Sequence, residues 1–488
     1  MRALSLFLTI SLAAVCLIGC TKDFGTINTD PNTPTVVTAD LLLTPILRST
    51  VQGQFNYDNG AALSRHVSRT NYNEVEQYSL GSNQGAWTSS YTRLNNIQEM
   101  IKVAERDNKS SAKAVGYILK AFTISTLTDL WGDVPYFEAC QGSDLVTPSY
   151  DTQKDIYTAE GGIISLLKEA ERLLSDAGVD PLPSDIMYAG NITKWRKLGN
   201  SLRLRYLMRI SNRTSEITTY DIVREIAETV QLPLLETNSD NALLPYLPNN
   251  PNQCPIFSMR AGSLEYIRMS KESDERLNLI NDPRRTIWFA RTTNSSANQP
   301  LYLGLPSGCS STTLENMGYS SPDVSLLGDY YSASPDGCSA VLMNCSEVMF
   351  LIAEAIIKGY ADGNAAEWYH KGIVASFDYY CKTAPDADYL SQPEVAFDAG
   401  KGLQQIMTQK WIAQIFVGYE AWFDFKRTGY PEMEPLIDNR NPTRPGEIPS
   451  RFYYPEDEQT LNTANYGLSI SRQAGGRDDI NTKLWWEK

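Results

Sequence analysis

The 488-residue chain carries 57 acidic and 43 basic side chains, a formal net charge of −14. That balance excludes a nucleic-acid partner, which needs a basic footprint, and disfavours polyanionic ligands. Its 27 tyrosines and 9 tryptophans stand against 2 histidines, so aromatic faces are plentiful while imidazole chemistry is confined to His66 and His370. Each of these reads as an ordinary surface or packing histidine.

From Met1 to Cys20 there is one positive charge, Arg2, an apolar run from Leu4 to Ile18, and the ending Leu17-Ile18-Gly19-Cys20. This is the pattern of a secretory leader, and the run is too short for a mature membrane span. Residues 1–19 therefore read as a signal peptide. The ending resembles a bacterial lipobox, with Cys20 lipidated as the first mature residue; the other reading is an ordinary secretory signal with an incidental cysteine. No later stretch has enough consecutive apolar residues to cross a bilayer, so acyl chains would be the only anchor. Residues 20–38, with Pro31, Pro34 and several Asn and Thr, read as a flexible tether.

A short helix interrupted by Pro45 is expected from Ala39 to Val51. Ser64–Trp87 lacks helical periodicity and is rich in Asn, Ser and Tyr. Trp87–Arg106 is a long amphipathic helix with Tyr91, Leu94, Ile97, Ile101 and Ala104 on its buried stripe. After a turn at Asp107–Ser110 comes its antiparallel partner, Ser111–Leu130. Val115, Ile118, Leu119 and Phe122 line one face of that partner, and Ala114, Tyr117, Ala121 and Ile124 fill much of the other, so it is a buried post. Gly132 and Pro135 then force a corner. Ile156–Leu174 reads as one further helix. Trp195-x-x-Leu198-Gly199-x-x-Leu202 matches the start of a tetratricopeptide repeat, although the later Ala and Phe positions do not follow. Pro233–Pro335 holds ten of the 25 prolines and reads as long loops with short elements. Helical periodicity returns at Ser346–Gly359, Ala365–Tyr380 and Leu403–Phe416.

Several clusters invite a chemical reading. Asp129, Asp133 and Glu138 suggest a metal site or a glycosidase carboxylate pair, but Gly132 breaks the helical spacing. A helix corner whose carboxylates accept backbone donors fits better. Glu420, Trp422, Asp424, Lys426 and Arg427 read as an aromatic core stripe with surface ion pairs. No nucleophile elbow, phosphate loop or dinucleotide motif occurs. Beyond Cys16 and Cys20, the cysteines are 140, 254, 309, 338, 345 and 381, without metal-finger spacing; Cys309 and Cys338, which flank one loop-rich insert, are the best candidate pair. The chain offers aromatics and amides rather than activated acids and bases, and no cofactor is expected.

LTDLWGDVPYFEA (residues 127–139) resembles the "LTDLYGDIPYSEA" segment of the SusD/RagB family of outer-membrane nutrient-binding lipoproteins. SEVMFLIAEAIIKG, GYEAWFDFKRTGYP, RFYYPEDEQTLN and LRLRYLMRIS also look like family segments, in the family's order. The resemblance implies a mainly α fold of degenerate tetratricopeptide-like helix pairs. It implies one domain over 39–488, with a helical scaffold at 39–232 and 341–488 and a loop-rich region at 233–340. It also implies a cell-surface, lipid-anchored protein of the bacterial outer membrane. Such a protein passes an oligomeric nutrient to a SusC-like TonB-dependent transporter. In that family the ligand meets loops before the first long helix and in the middle region.

A neutral oligomer presents CH faces and hydroxyls, which aromatic rings and amide or guanidinium groups answer. Arg69, Asn71, Tyr72, Tyr78, Trp87 and Tyr91 supply such a set around one loop, and Tyr302 and Tyr319 a second. Trp87 and Tyr91 fit equally well as buried residues at the helix start. The ligand is expected to be a glycan; an oligopeptide is the alternative, and a glycan hydrolase is a third reading.

Overall fold

The periodic stretches become helices that pack in consecutive pairs. In the computed structural model the described residues are 37–176, 180–293, 301–320 and 323–487. The chain divides into two units, Met1–Thr38 and Ala39–Lys488. The expected leader, Cys20 and most of the expected tether lie outside the described residues, so the following concerns the second unit. Helix α1 (Ala39–Gln52) packs on α2 (Gln84–Arg106), α2 on α3 (Ser110–Trp131), α3 on α4 (Ile163–Ser175) and α4 on α5 (Ile192–Ile210). Beyond the loop-rich region, α6 (Cys345–Ile357) packs on α7 (Ala365–Cys381) and on α8 (Gly402–Ala413), and α8 on α9 (Glu420–Thr428). Contacts between α5 and α6 join the two halves. The fold is mainly α, built of tetratricopeptide-like helix pairs. Among the described residues, no helix is long and apolar enough to cross a membrane.

The post is as buried as its composition demands: α3 is enclosed along nearly its whole length. A Cβ on Gly199 would come within 3.1 Å of Ile118, so the missing side chain lets α5 lie against α3. The corner forms at Gly132, whose φ of +90° excludes an ordinary side chain. Several expected helix bounds differ; α2 starts three residues early, at Gln84, and α6 ends at Ile357 rather than Gly359. Pro45 does not interrupt α1, because Leu43, Ile46, Leu47 and Val51 bury their faces around it while the proline ring stays outside. The expected helix at Ile156–Leu174 splits into Gln153–Thr158 and α4, because Gly161 turns the chain at φ +74°. The last of the three predicted C-terminal helices stops at Ala413, short of Phe416.

The loop-rich region is tied to the scaffold by two antiparallel ladders. Strand β1 (Val67–Arg69) pairs with β3 (Ile267–Met269), Ser68 opposite Arg268. Strand β2 (Ala242–Pro245) pairs with β4 (Ser339–Met343), Leu244 opposite Ala340. The β1–β3 ladder brings the loop before α2 beside residues some 200 positions later.

A buried ribbon of ion pairs runs through the helical interior. Arg209 of α5 bridges Asp129 of α3 and Glu420 of α9. One turn earlier, Arg205 grips Glu347 of α6 with two bonds of 2.7 Å. Arg427 bonds Glu354 of α6 at 2.8 Å and Asp424 at 3.0 Å, and Lys410 of α8 reaches Asp424 at 2.8 Å. Burial pushes the Asp424 carboxyl up, but Lys410 and Arg427 together hold it well below the usual carboxylate range. Lys426 lies under the Trp422 ring, 3.9 Å from its centre, and burial lowers its ammonium to about 8. The expected surface ion pairs of Glu420–Arg427 are therefore core ion pairs. The expected backbone-capped carboxylate also differs at Asp129. It accepts from Tyr157 Oη at 2.8 Å, from Trp486 Nε1 at 2.7 Å and from Arg209, all side chains. Asp133 keeps one backbone donor, Gln153 N at 2.9 Å, and adds Arg472 at 2.7 Å. The expected Cys309–Cys338 pair is not formed. Cys309 belongs to a satellite cluster with Leu305, Leu314 and Val324, while Cys338 lies beside Cys254.

Removing one partner from a buried pair strands a charge, which costs about 3–5 kcal/mol. Arg209→Met takes the bridging cation from both carboxylates, leaving Asp129 to Tyr157 and Trp486 and Glu420 to Arg205 at 3.6 Å, so a loss toward the lower end of that range is expected. Urea unfolding should show a lower midpoint at unchanged slope; a shift within error would mean that the ribbon contributes little.

Candidate ligand-binding face

The loop after β1 is built to hold one tyrosine outward. Thr70 N donates to Tyr266 O at 3.0 Å, extending the β1–β3 pairing by one rung. Asn71 then turns the chain, its Oδ1 accepting from Tyr72 N at 2.9 Å, and Tyr72 takes a φ of +56°. The Tyr72 ring is 65% exposed. It meets Tyr266 edge-to-face, with centroids 5.7 Å apart at 72°. Earlier in the chain Arg69 pairs with Asp58 at 2.7 Å, and ahead of Tyr266 Arg260 stacks on Phe257 at 3.6 Å.

Glu76 fastens this loop to the middle region. Its Oε2 accepts from Ser68 Oγ at 2.8 Å and from Gly308 N at 3.2 Å, while Oε1 is buried without a partner. Asn73 Nδ2 donates to Cys309 O, and Arg440 N donates to Gln77 O at 2.7 Å. Burial raises the Glu76 carboxyl to about 7.

The structure separates the expected ligand residues into three groups. Asn71 and Tyr72 stand on the exposed loop after β1, facing Tyr266 on the turn before β3, while Arg69 is the last, half-buried residue of β1. Tyr78, Trp87 and Tyr91 point into the fold. Tyr78 is 1% exposed and receives Arg65 Nη2 at 2.8 Å on its hydroxyl. Trp87 is 5% exposed, its ring centre 5.1 Å from Trp131 and 5.0 Å from Tyr91. Tyr91 Oη donates to Pro135 O at 2.8 Å, tying α2 to the corner. Tyr302 lies under Arg285, 4.7 Å from its ring centre, and Tyr319 packs on the satellite cluster of Cys309. His66 is a packing histidine: Nε2 meets Trp411 O at 2.8 Å and the ring stacks on that indole. His370 is exposed.

Sequence reasoning missed Tyr266, Asp58 and the Phe257–Arg260 stack. Only the alternation Ile267-Arg268-Met269 after Gly262-Ser263 carries a local strand signal beside Tyr266. A concave surface lies elsewhere, a hollow of about 780 Å³ whose lining includes Asn95, Gln98, Tyr117, Lys120 and Phe137. Phe137 is 43% exposed there. Burial lowers the Lys120 ammonium, which lies 5.0 Å from the Tyr136 ring centre. The carboxylates that could have served a hydrolase are engaged within the structure. Asp129 is wholly enclosed, and Glu138 accepts from Ser149 N at 2.9 Å.

A family profile described as SusD-like, starch-binding associating with outer membrane, matches residues 31–455. A SusD homologue from Bacteroides fragilis is 28% identical, covering 93% of this chain and 100% of its own, with a TM-score of 0.80. A chitin-binding protein is 28% identical over 92% of this chain and 99% of its own, with a TM-score of 0.79. A chitin-binding SusD homologue from Flavobacterium johnsoniae is 25% identical over 92% and 98%, with a TM-score of 0.76. No curated protein compared with the chain matches it.

A carboxyl raised by burial stabilises the fold fully below its unfolded value, and that contribution fades as pH rises through the folded value. For Glu76 the window runs from about 4.5 to about 7. Glu76→Gln keeps the shape without the charge. Its stability relative to the parent should rise between pH 5 and pH 8, by up to about 3 kcal/mol. His66, lowered by burial to about 4, works in the opposite sense in both proteins and cancels in the difference. Urea titrations at the two pH values check this; parallel pH profiles would show that Glu76 stays ionised.

Proposed function

Because the chain belongs to the SusD-like family, we propose that it captures oligosaccharides at the Tyr72–Tyr266 face and delivers them to a SusC-like TonB-dependent transporter. The chain is a nutrient-binding protein rather than an enzyme. Cys20 would carry the lipid anchor at the outer membrane surface, with residues 1–19 removed as signal peptide and 20–38 as tether.

One observation carries the site: an exposed tyrosine held outward by a positive φ, braced by a second ring, with Asn71 and the Arg69–Asp58 pair beside it. That is an apolar platform edged by polar groups, which suits a sugar ring. Two relatives that bind chitin favour a glycan. Oligopeptide capture is the alternative, since aromatic walls with amide partners also serve extended peptides. Among the expected ligand residues, Tyr302 and Tyr319 fit a supporting role at the edge of the middle region. Tyr78, Trp87 and Tyr91 fit a structural one.

Native mass spectrometry on residues 21–488, offered chitin, starch and peptide oligomers together, tests the reading. Intact oligosaccharides should be retained. Tyr72→Ala should weaken retention about tenfold, the equivalent of one lost aromatic face. Phe137→Ala should leave it unchanged. Loss on Phe137→Ala alone would move the site to the hollow between α2 and α3. Retained peptides would overturn the nutrient class, and cleaved oligomers the binding role itself.

A further inference from the structure

We propose that Cys254 and Cys338 are a covalent modification site, a disulfide that fastens the root of the arm carrying Tyr266. The two sulfurs lie 3.4 Å apart in the interior, although 84 positions separate the residues. The backbone around them is already fixed: Cys254 N donates to Pro335 O at 2.7 Å, and Tyr246 N donates to Cys338 O at 3.4 Å. The Cys254 thiol also meets Tyr331 O at 3.4 Å. A disulfide sulfur pair sits about 2.05 Å apart, so a small side-chain rotation closes the bond. The other buried thiols have different neighbours. Cys345 Sγ meets Asn238, and Cys309 packs among aliphatic side chains.

The placement gives the bond a consequence. Cys254 starts the short helix Pro255–Met259, and the chain continues through the turn Ser263–Tyr266 into β3. The arm runs from the thiol pair to the β1–β3 ladder; between them Ile256 is buried and Phe257, Met259 and Leu264 pack on the core. Ser258, Arg260 to Ser263 and Glu265 are exposed. Fixing Cys254 to Cys338, the residue before β4, anchors the first end to the β2–β4 ladder and so holds the second ring of the Tyr72–Tyr266 pair.

In the reaction the two thiols lose two protons and two electrons, and an S–S bond forms. An external disulfide oxidant accepts the electrons as its own S–S bond breaks to two thiols. Compartments beyond the bacterial inner membrane sustain such chemistry. The consequence for ligand binding rests on the reading above; the bond itself does not.

The full chain, equilibrated with oxidised glutathione, is unfolded in an alkylating agent and its cysteines are mapped by mass spectrometry. Cys254 and Cys338 should escape alkylation as one linked peptide pair lighter by two hydrogens, while Cys140, Cys309, Cys345 and Cys381 take the label. Cys338→Ser should release Cys254 to alkylation. Limited proteolysis should cut the 258–265 arm several-fold faster in reduced protein and in Cys338→Ser than in oxidised protein. Full alkylation of both residues after oxidation, or linkage of either to another cysteine, overturns the proposal. Ligand loss with the crosslink intact counts against the binding reading alone.

Discussion

Arg209 sets the constraint on which the scaffold depends. Its guanidinium lies wholly inside the fold, between Asp129 of α3 and Glu420 of α9. A charge in that position is tolerable only when its partners arrive with correct geometry, because desolvation otherwise exceeds the attraction. The register of three helices distant in sequence is thereby fixed by one side chain. Arg205 repeats the device one turn away toward Glu347, and Arg427 repeats it toward Glu354. Stacked apolar helices could slide by a residue at modest cost. Helices that share buried charges cannot, since a slip would leave several groups unpaired together. The indole of Trp486 also donates to Asp129, so the C-terminal segment is held by the same network.

A scaffold fixed in this way lets the loops between its helices be shaped for other purposes. The Tyr72 loop is short, stitched to β3 by ladder bonds and to the 306–309 loop through Glu76. Both anchors reach back to the packed interior: Ser270 Oγ, just after β3, donates to Arg65 O at 2.6 Å, and Ser307 Oγ donates to Glu272 at 2.9 Å, which pairs with Arg65. The exposed ring therefore projects from a supported loop. Preorganisation of this kind would reduce the entropy lost by any ligand that used the ring, as proposed above.

The helices were legible because each carries an apolar stripe at helical spacing, from Tyr91–Ala104 in α2 to Val348–Ala355 in α6. The corner after α3 was legible because Gly132 and Pro135 leave the backbone few choices. The buried ion pairs were not. In Glu420–Arg427 the charged residues alternate with Trp422 and Phe423, and local spacing cannot say whether a charged side chain finds a partner in another helix. The site was half legible for a related reason. Asn71 and Tyr72 stand together in a polar, aperiodic stretch that asks for a role. Tyr266 becomes their neighbour only through a three-rung ladder between residues some 200 positions apart, and no local pattern encodes that pairing.

The wealth of tyrosine has two sources, and they separate by where the hydroxyl goes. Tyr91 donates to Pro135 O, Tyr136 to Gly161 O, Tyr188 to Asp240 O, Tyr369 to Val395 O and Tyr454 to Asp133 O. Each pins one element to the backbone of a loop, satisfying a carbonyl while its ring fills the core. A buried phenol that is bonded in this way is structural, and mutation should cost stability rather than affinity. Tyr72 is the contrasting case because its ring is turned to solvent; its left-handed backbone is shared by the buried Tyr78, at φ +62°. Left-handed backbone at a non-glycine residue is costly and persists where the surroundings impose it. Here Asn71 and the β1–β3 ladder impose it, at the cost of leaving a large ring in water. Composition alone therefore overstates the binding surface. The case for a ligand rests on the few rings that the fold holds outward.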